Sequence, residues 1–393
     1  MTSEELKNMD DTYVMHTYNR FPITIDHGEG ARVYDLEGNE YIDFTRGIGV
    51  NCLGYCNAGW AEAIYEQAKK LGHMSNLYYT EPCAQLAKTL CERTGMSKVF
   101  FGNSGAEANE GLIKLARKYS YDKYGEGRST VITLKDSFHG RTITTLNATG
   151  QDVFHNYFFP FTEGFRYAEA GNMDDLKNVM GDDVCAVMIE LIQGEGGVRP
   201  LDEEYVKQVR EFCTENDVLM LVDEVQTGVG RTGKLFAFQS YGIMPDAASF
   251  AKGIAGGLPM GGVMASEKVQ DVLGSGTHAS TFGGNPVVAS AANYVLSVMD
   301  DKFLEDVEAK GKYIMSQIVG NVSPFVSAVR GKGLMIGIEL AGLKNGDVAK
   351  SLMDRGLLTL TAGGNVLRLL PPLTILPQEI DAGLHVLLGL IGE

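Results

Sequence analysis

Two acidic residues at the end of an apolar run are the first feature that could do chemistry. The stretch LMLVDEVQTGVGRTG (219–233) places Asp223 and Glu224 between four apolar residues and a glycine-rich loop. A carboxylate pushed toward a sheet interior needs a cationic partner or takes up a proton. A metal would need more ligands than the neighbouring Glu224 supplies. The stretch therefore predicts either a solvated acid or a carboxylate that faces an organic cation.

A lysine and a helix start add two further groups. Lys252 follows the strand-like DAASFA and precedes GIAGG, at the kind of strand end where ligands collect in α/β proteins. In FFGNSGAEANEGLIKLARK, the N–H groups at Gly105 and Ala106 could bind an anion. Ser104 and Glu107 also match a capping box, which needs no ligand. Taken singly, a surface lysine and an ordinary helix start remain the alternatives.

Together the three groups match the needs of pyridoxal phosphate. This cofactor requires an anchor for its phosphate, a partner for its ring nitrogen and an amine for its aldehyde. Asp223 would keep the ring nitrogen protonated so that the ring accepts electrons. Lys252, once released by the incoming amine, would act as the base that moves a proton.

Two arginines could bind substrate carboxylates. SFHGRT contains Phe138 and Arg141 just after a strand-like run, and VLRLLPP contains Arg368. Either guanidinium could hold a carboxylate through two parallel hydrogen bonds, and a structural ion pair is the alternative for each. In GEGGV, Glu195 could pair with an arginine when substrate is absent.

The elements that must position these groups follow an α/β pattern. The runs ARVYDLEG and NEYIDFT predict a hairpin with a turn at residues 37–39. From about residue 60 to 284, strand-like runs alternate with segments of helical period, which predicts crossovers and a largely parallel, buried sheet. The strand-like runs are KVFFGN, STVITLK, VCAVMIELI, VLMLVDE, DAASFAK and GGVMAS.

The C-terminal part predicts a smaller α+β domain. Residues 286–319 have helical character, AVRGKGLMIGIEL has the pattern of a strand, and VAKSLMDRG that of a helix. Two short strands around VLRLLPPLTI and an amphipathic helix from Pro377 follow. No low-complexity linker separates the parts, so we expect packed domains.

Composition limits the classes of protein. The 393 residues favour two domains, and a net charge of −16 argues against nonspecific binding to nucleic acid or anionic membranes. The N-terminus lacks a signal-peptide pattern, and no apolar stretch is long enough to span a membrane, so we expect a cytoplasmic protein. The six cysteines form no C-x-x-C pair, which indicates reduced thiols and neither zinc nor disulfides.

Motifs throughout the chain resemble those of class III, pyridoxal phosphate-dependent aminotransferases, most closely the acetylornithine branch. They run from about residue 18 to 375 and comprise SNLYYTEP, FFGNSGAEANEGLIKLARK, SFHGRT, IQGEGGV, DEVQTGVGRTGKLF, SFAKGIAGGLPMGG, STFGGNP, VRGKGLMIGIEL and VLRLLPPLTI. Two stretches depart from the family: LGYCNAGW replaces Leu-Gly-His-x-His-Pro, and Glu190-Leu191 replaces Glu-Pro.

The resemblance implies fold type I and a homodimer with active sites at the subunit interface. We expect an N-terminal segment (1–58) that contributes to the small domain, a large cofactor-binding domain (59–285) with a mostly parallel seven-stranded sheet, and a C-terminal small domain (286–393).

The resemblance also assigns site residues. It implies that Lys252 carries the cofactor and that Glu195 gates Arg368. Cofactor-binding residues would be Gly105, Ala106, Phe138, Asp223, Glu224, Val225, Gln226, Lys252 and, from the partner subunit, Thr281. Substrate-binding residues would be Arg141, Ser280, Glu195 and Arg368. No metal is expected.

The implied reaction moves the δ-amino group of N2-acetylornithine to 2-oxoglutarate. Other ω-aminotransferase substrates remain alternatives: succinylornithine, N-succinyl-diaminopimelate, ornithine and 4-aminobutyrate. Ile48 stands where ornithine aminotransferases carry tyrosine, which counts against free ornithine. A nucleotide-binding protein or a silent binding module is the alternative from another class. The absence of G-x-G-x-x-G and G-x-x-x-x-G-K-[ST] motifs disfavours nucleotides, and Lys252 disfavours a silent module.

Overall fold

The computed structural model of the protein describes residues 1–321 and 323–392. Helices in these ranges are α1 (Ser3–Tyr13), α2 (Arg46–Gly49), α3 (Ala58–Lys70), α4 (Glu81–Thr94), α5 (Gly105–Tyr124), α6 (Ile143–Ala148), α7 (Met173–Asn178), α8 (Glu203–Glu215), α9 (Pro286–Val298), α10 (Asp301–Gly320), α11 (Asn345–Asp354) and α12 (Pro377–Ile391). Strands are β1 (Ile25–Glu29), β2 (Arg32–Asp35), β3 (Glu40–Asp43), β4 (Lys98–Gly102), β5 (Thr130–Leu134), β6 (Phe165–Ala168), β7 (Val184–Glu190), β8 (Ile192–Gln193), β9 (Arg199–Pro200), β10 (Leu219–Asp223), β11 (Ala247–Phe250), β12 (Gly261–Ala265), β13 (Val326–Lys332), β14 (Met335–Leu340), β15 (Leu357–Leu358), β16 (Leu360–Ala362) and β17 (Val366–Leu369).

A seven-stranded sheet forms the centre of the molecule, in the order β4-β12-β11-β10-β7-β5-β6. Strand β12 runs antiparallel to both of its neighbours, and the other strands are parallel to one another. The expected mostly parallel sheet is confirmed. The sequence pattern missed only β6, a short edge strand with the sequence FRYA.

The central strands are apolar because both faces of the sheet are covered. Every residue of β5, β7, β10, β11 and β12 is buried. On one face, α5 contributes Leu112, Leu115 and Ala116, all fully buried. Their spacing matches one side of a helix.

The register of the parallel strands brings three polar side chains to the same edge of the sheet. Asp223 ends β10 and is level with Glu190 on β7 and Ser249 on β11. Because parallel strands end at the same edge, these residues form a row. The site described below is built on this row.

Two smaller sheets use other parts of the chain. One has the order β1-β2-β3-β15, so residues from both ends of the sequence share it. The other has the order β13-β14-β17-β16. The single strand expected at AVRGKGLMIGIEL is wrong, because β13 and β14 form an antiparallel hairpin. Gly333 at its turn has φ +52°, and a Cβ atom there would lie 2.6 Å from the carbonyl oxygen of Arg231.

The helical stretch expected at 286–319 is two helices. Met299 ends α9 with ψ 65°, and Asp300 begins α10 by accepting a hydrogen bond from the N–H of Phe303 at 2.8 Å. An aspartate at this position satisfies a free helical N–H group, which favours a new helix start. The domain boundaries expected from the sequence remain a proposal.

The atypical segment LGYCNAGW links the N-terminal part to the central domain. The hydroxyl of Tyr55 donates to Asp43 at 2.7 Å, and the guanidinium of Arg46 lies 4.3 Å from the centre of the Tyr55 ring. Nearby, Trp60 Nε1 donates to the carbonyl oxygen of Ala255 at 2.9 Å. Trp60 therefore contacts the loop that follows Lys252.

Candidate active site

A cavity of about 470 Å³ lies at the carboxyl edge of the central sheet. This volume lies in the ordinary range for small-molecule sites. The sequence-predicted residues that line it are Gly105, Ala106, Phe138, Arg141, Asp223, Val225, Gln226 and Lys252. The structure thus brings together residues that lie as much as about 150 positions apart in the chain.

The start of α5 forms one wall. Ser104 caps the helix by accepting from the N–H of Glu107 at 3.2 Å. As in any α-helix, the first N–H groups have no acceptor within the helix, so those of Gly105 and Ala106 can bind a ligand. A Cβ atom on Gly105 would lie 2.7 Å from Cγ1 of Val225. Glycine therefore allows the helix start to approach the β10 loop closely. This wall suits a phosphate group.

Lys252 enters the cavity from a strained backbone position directly after β11 and Ala251. Its φ of +48° is uncommon for a residue with a side chain, and such strain is retained when the surrounding structure demands it. Burial lowers the pKa of the Lys252 amine because the enclosed site disfavours the ammonium form, and the charge of Glu195 opposes this effect only in part. The amine therefore gives up its proton more easily than that of an exposed lysine, which favours its use as a nucleophile.

Asp223 is buried and held by hydrogen bonds to both of its oxygens. Oδ2 accepts from Asn109 Nδ2 at 2.7 Å and from His139 Nδ1 at 2.8 Å. Oδ1 accepts from the N–H of Val225 at 2.9 Å and, at 3.4 Å, from the hydroxyl of Ser249. The contact with Ser249 is the longest of the four, so Oδ1 is the less tightly held oxygen. A cationic N–H group in the cavity would complete the set.

Sequence reasoning missed His139 and Asn109 as supports of Asp223. Burial opposes the charged form of His139, yet the hydrogen bond to Asp223 and its negative charge prevail and raise the pKa of the imidazole. The motif SFHGRT drew attention to Phe138 and Arg141, and Asn109 appeared only as part of a helical pattern. No local signal tied either residue to a carboxylate over 80 positions away.

Glu190 is a further buried acid beside Asp223. Burial raises its pKa to about 7, while the charge of His139 and two backbone N–H groups act in the opposite direction. These N–H groups belong to Phe138, at 2.9 Å, and Gly194, at 3.3 Å. Glu190 therefore fixes the backbone next to the Phe138 ring.

Glu195 and Arg368 form an ion pair at the side of the cavity. Arg368 Nη1 donates to Glu195 Oε1 at 2.6 Å and to Gln226 Oε1 at 3.1 Å. Burial alone would raise the pKa of Glu195, but the guanidinium of Arg368 lowers it. Since Gln226 lines the cavity, the pair lies within reach of a ligand there. The pairing expected from the sequence is present in the structure.

Arg141 is exposed and is held by aromatic rings. Its guanidinium carbon lies 4.3 Å from the centre of the Phe154 ring and 5.4 Å from that of Phe138. Among the described residues, no carboxylate forms an ion pair with it within 4.0 Å. The guanidinium is therefore available to an anionic ligand.

Besides Glu195 and Arg368, three expected site residues lie outside the cavity lining. Glu224 is fully buried on the other side of the strand end, where it accepts from the hydroxyl of Thr227 and the N–H of Phe238. Ser280 accepts from Asn103 Nδ2 at 3.1 Å, and Thr281 beside it is exposed. The structure thus gives Glu224 a role in fixing its own loop, and the cofactor role expected for it finds no support in this geometry.

The donor set suits pyridoxal phosphate and does not suit a metal. Within residues 1–321 and 323–392, no group of three or more His, Cys, Asp or Glu residues could hold a metal ion. The helix start of α5 suits the phosphate, Asp223 suits the pyridinium nitrogen, and Lys252 suits the aldehyde. Phe138 and Val225 supply apolar walls for the ring.

A fold and cavity of this kind define an enzyme that uses pyridoxal phosphate. The family model described as aminotransferase class-III matches residues 13–391. The chain therefore belongs to the class III aminotransferases.

Relatives and solved structures agree with this membership. A protein from Haemophilus ducreyi named acetylornithine aminotransferase is 48% identical over 395 residues and covers 100% of both chains. The crystal structure of ornithine aminotransferase from Toxoplasma gondii has a TM-score of 0.95 at 33% identity, covering 99% of this chain and 94% of that one. Acetylornithine aminotransferase from Elizabethkingia anophelis has a TM-score of 0.88 at 31% identity, covering 100% and 99%.

Proposed function

We propose that the enzyme transfers the δ-amino group of N2-acetyl-L-ornithine to 2-oxoglutarate. The products are N-acetyl-L-glutamate 5-semialdehyde and L-glutamate, as in arginine biosynthesis. The single observation that carries the proposal is the pair of unlike arginines at one cavity: Arg141 has no carboxylate partner among the described residues, and Arg368 is closed by Glu195. The name of the relative from Haemophilus ducreyi supports the same substrate.

The two arginines match the charges of the two substrates. N-Acetylornithine has one carboxylate, which Arg141 binds, and a neutral acetamide that leaves the Glu195–Arg368 pair closed. 2-Oxoglutarate has two carboxylates, so its second one displaces Glu195 and pairs with Arg368. One cavity can thus accept both substrates in turn.

Pyridoxal phosphate, when bound, supplies an aldehyde that reacts with amines and a ring that accepts electrons. Lys252 would hold the aldehyde and, once released as a neutral amine, would take the proton from the substrate carbon that bears the reacting nitrogen. Asp223 would keep a proton on the ring nitrogen, while Asn109 and His139 hold the carboxylate in place. Gln226 lines the cavity and would present its side-chain amide to the cofactor.

We also propose a cytoplasmic homodimer in which Thr281 contributes to the partner's phosphate site. Leu77, Tyr78, Tyr79 and Phe282 are exposed apolar side chains, and such a patch is typical of an interface. Asn76 Nδ2 donates to the carbonyl oxygens of Ser280 and Gly283, both at 3.0 Å, which joins the two segments into one surface. No helix in the described ranges has the length and apolar character needed to cross a membrane. Light scattering after size exclusion should give twice the chain mass, and a monomer would contradict this assembly.

Steady-state rates with a panel of amines test the substrate. The panel contains N-acetylornithine, succinylornithine, N-succinyl-diaminopimelate, ornithine and 4-aminobutyrate, each with 2-oxoglutarate. We expect the highest kcat/KM for N-acetylornithine. A clear preference for free ornithine, which the similarity to the Toxoplasma gondii enzyme makes the second candidate, or for 4-aminobutyrate would overturn the proposal.

A further inference from the structure

Arg141 is held by ring contacts, and its N–H groups form no hydrogen bond with the residues that the structure describes. The guanidinium lies over Phe154, at 4.3 Å from the ring centre, and farther from Phe138, at 5.4 Å. The two rings meet edge to face, with centres 5.8 Å apart and planes at 74°. A cation over an aromatic face is attracted by the electrons of the ring and uses no hydrogen-bond donor. The five donors of the guanidinium therefore remain available to a ligand.

The segment that carries Phe154 is tied to the central domain at both ends. Gln151 Nε2 donates to the carbonyl oxygen of Ser137 at 2.9 Å, and the ring of His155 contacts the carbonyl oxygen of Leu146 through Nε2 at 3.1 Å. Between these anchors, residues 152–154 form one tight helical turn. The position of the Phe154 ring is thus fixed by bonds that do not involve Arg141.

Phe154 is less exposed than Val153 and Tyr157 of the same segment. Val153 is 70% exposed and Tyr157 is 90% exposed, whereas Phe154 is half-buried against Arg141 and Phe138. Phe138 lines the cavity and Phe154 does not. Phe154 therefore supports the arginine from behind, at a distance from the reacting groups.

We propose that Phe154 is a positioning residue for Arg141 and thereby sets the affinity of the enzyme for substrates that carry a carboxylate. The inference rests on the proposed function, in which Arg141 binds the substrate α-carboxylate. An exposed arginine without such support samples many side-chain conformations, and ordering them weakens binding. The ring of Phe154 orders the guanidinium before the substrate arrives.

The test compares Phe154→Ala, Phe154→Leu and Phe154→Tyr with Val153→Ala as the neighbouring control. We expect KM for N-acetylornithine to rise about three- to tenfold in the alanine and leucine variants, with kcat within about twofold of wild type. The leucine variant keeps apolar volume but lacks the aromatic face, so it separates the cation contact from packing. The tyrosine variant restores the face and should keep the wild-type KM. Val153→Ala should behave as wild type.

The ring contact must act through Arg141, which a double-mutant cycle measures. In an Arg141→Ala background, Phe154→Ala should add less than about a twofold change in KM, because the supported group is gone. With monoacetylated 1,4-diaminobutane, which has no carboxylate, Phe154→Ala should leave kcat/KM unchanged.

The outcomes separate the inference from the function on which it rests. If Arg141→Ala leaves KM for N-acetylornithine unchanged, the proposed role of Arg141 is wrong. If Arg141→Ala raises KM but Phe154→Ala and Phe154→Leu do not, only the inference fails. Additive effects of the two substitutions would also overturn it, since Phe154 would then act independently of the arginine.

Discussion

Replacement of His139 by leucine should weaken both the fold and the cofactor site. The substitution removes one of the two short hydrogen bonds that fix Oδ2 of Asp223 and leaves the one from Asn109. A hydrogen bond to a charged group contributes about 1.5 to 3 kcal/mol. We expect the free energy of unfolding to fall by about this amount and the affinity for pyridoxal phosphate to fall by about ten- to a hundredfold.

The single tryptophan of the chain supplies the assay. Trp60 contacts the loop that follows Lys252 through its bond to the carbonyl oxygen of Ala255, so bound cofactor should quench its emission. Titration of cofactor-free protein with pyridoxal phosphate gives the dissociation constant. Urea unfolding of the same cofactor-free protein gives the change in stability without any contribution from the ligand.

A matched variant separates the hydrogen bond from the packing. His139→Asn keeps a side-chain N–H group near the position of Nδ1, and it should recover much of the cofactor affinity. If His139→Leu instead bound pyridoxal phosphate as tightly as wild type and unfolded at the same urea concentration, the support that we assign to His139 would be refuted.

Three further substitutions test the site. Asp223→Asn should keep the cofactor through the phosphate site but lower kcat at least about tenfold, because the ring nitrogen loses its charged partner; wild-type turnover would contradict this role. Glu195→Ala should leave Arg368 open, so 2-oxoglutarate should inhibit the amine half-reaction at about tenfold lower concentration, whereas an unchanged inhibition constant would argue against the gate. Since the pKa of Glu190 is raised from 4.5 to about 7, its stabilising contribution is complete below about pH 4.5 and is lost as pH rises through 7. The free energy of unfolding of Glu190→Gln, measured in urea, should therefore increase relative to that of wild type between these pH values. A difference between variant and wild type that does not change with pH would contradict the raised pKa of Glu190.

The ends of the buried strands could be predicted because their signal is local. An apolar run that stops at Asp223, or at Ala251 before Lys252, marks the point where a side chain leaves the sheet interior. The glycine at position 105 and the serine cap before it likewise mark a helix start within a few residues.

Glu224 shows where the same local reasoning fails. Successive side chains of an extended chain point to opposite sides, so the acid next to Asp223 faces away from the cavity. It binds Thr227 and Phe238 in the interior instead, where burial raises its pKa to about 7. The sequence alone could not assign one carboxylate to the site and the other to the loop.

The supports of the site could not be predicted because they depend on distant parts of the chain. His139 and Asn109 reach Asp223 only once β5, α5 and β10 are packed together. Phe154 precedes the unrecognised edge strand β6 and lies in an aromatic segment that has no regular period. Each residue is ordinary by composition, and only its contacts give it a role.

The proposed function depends most directly on a covalent bond between Lys252 and pyridoxal phosphate. Holoenzyme reduced with sodium borohydride, digested and analysed by mass spectrometry should carry the phosphopyridoxyl group on the peptide that contains Lys252, and the Lys252→Ala variant should carry none. A label on a different lysine, or cofactor released unreduced from the wild-type protein, would contradict the account.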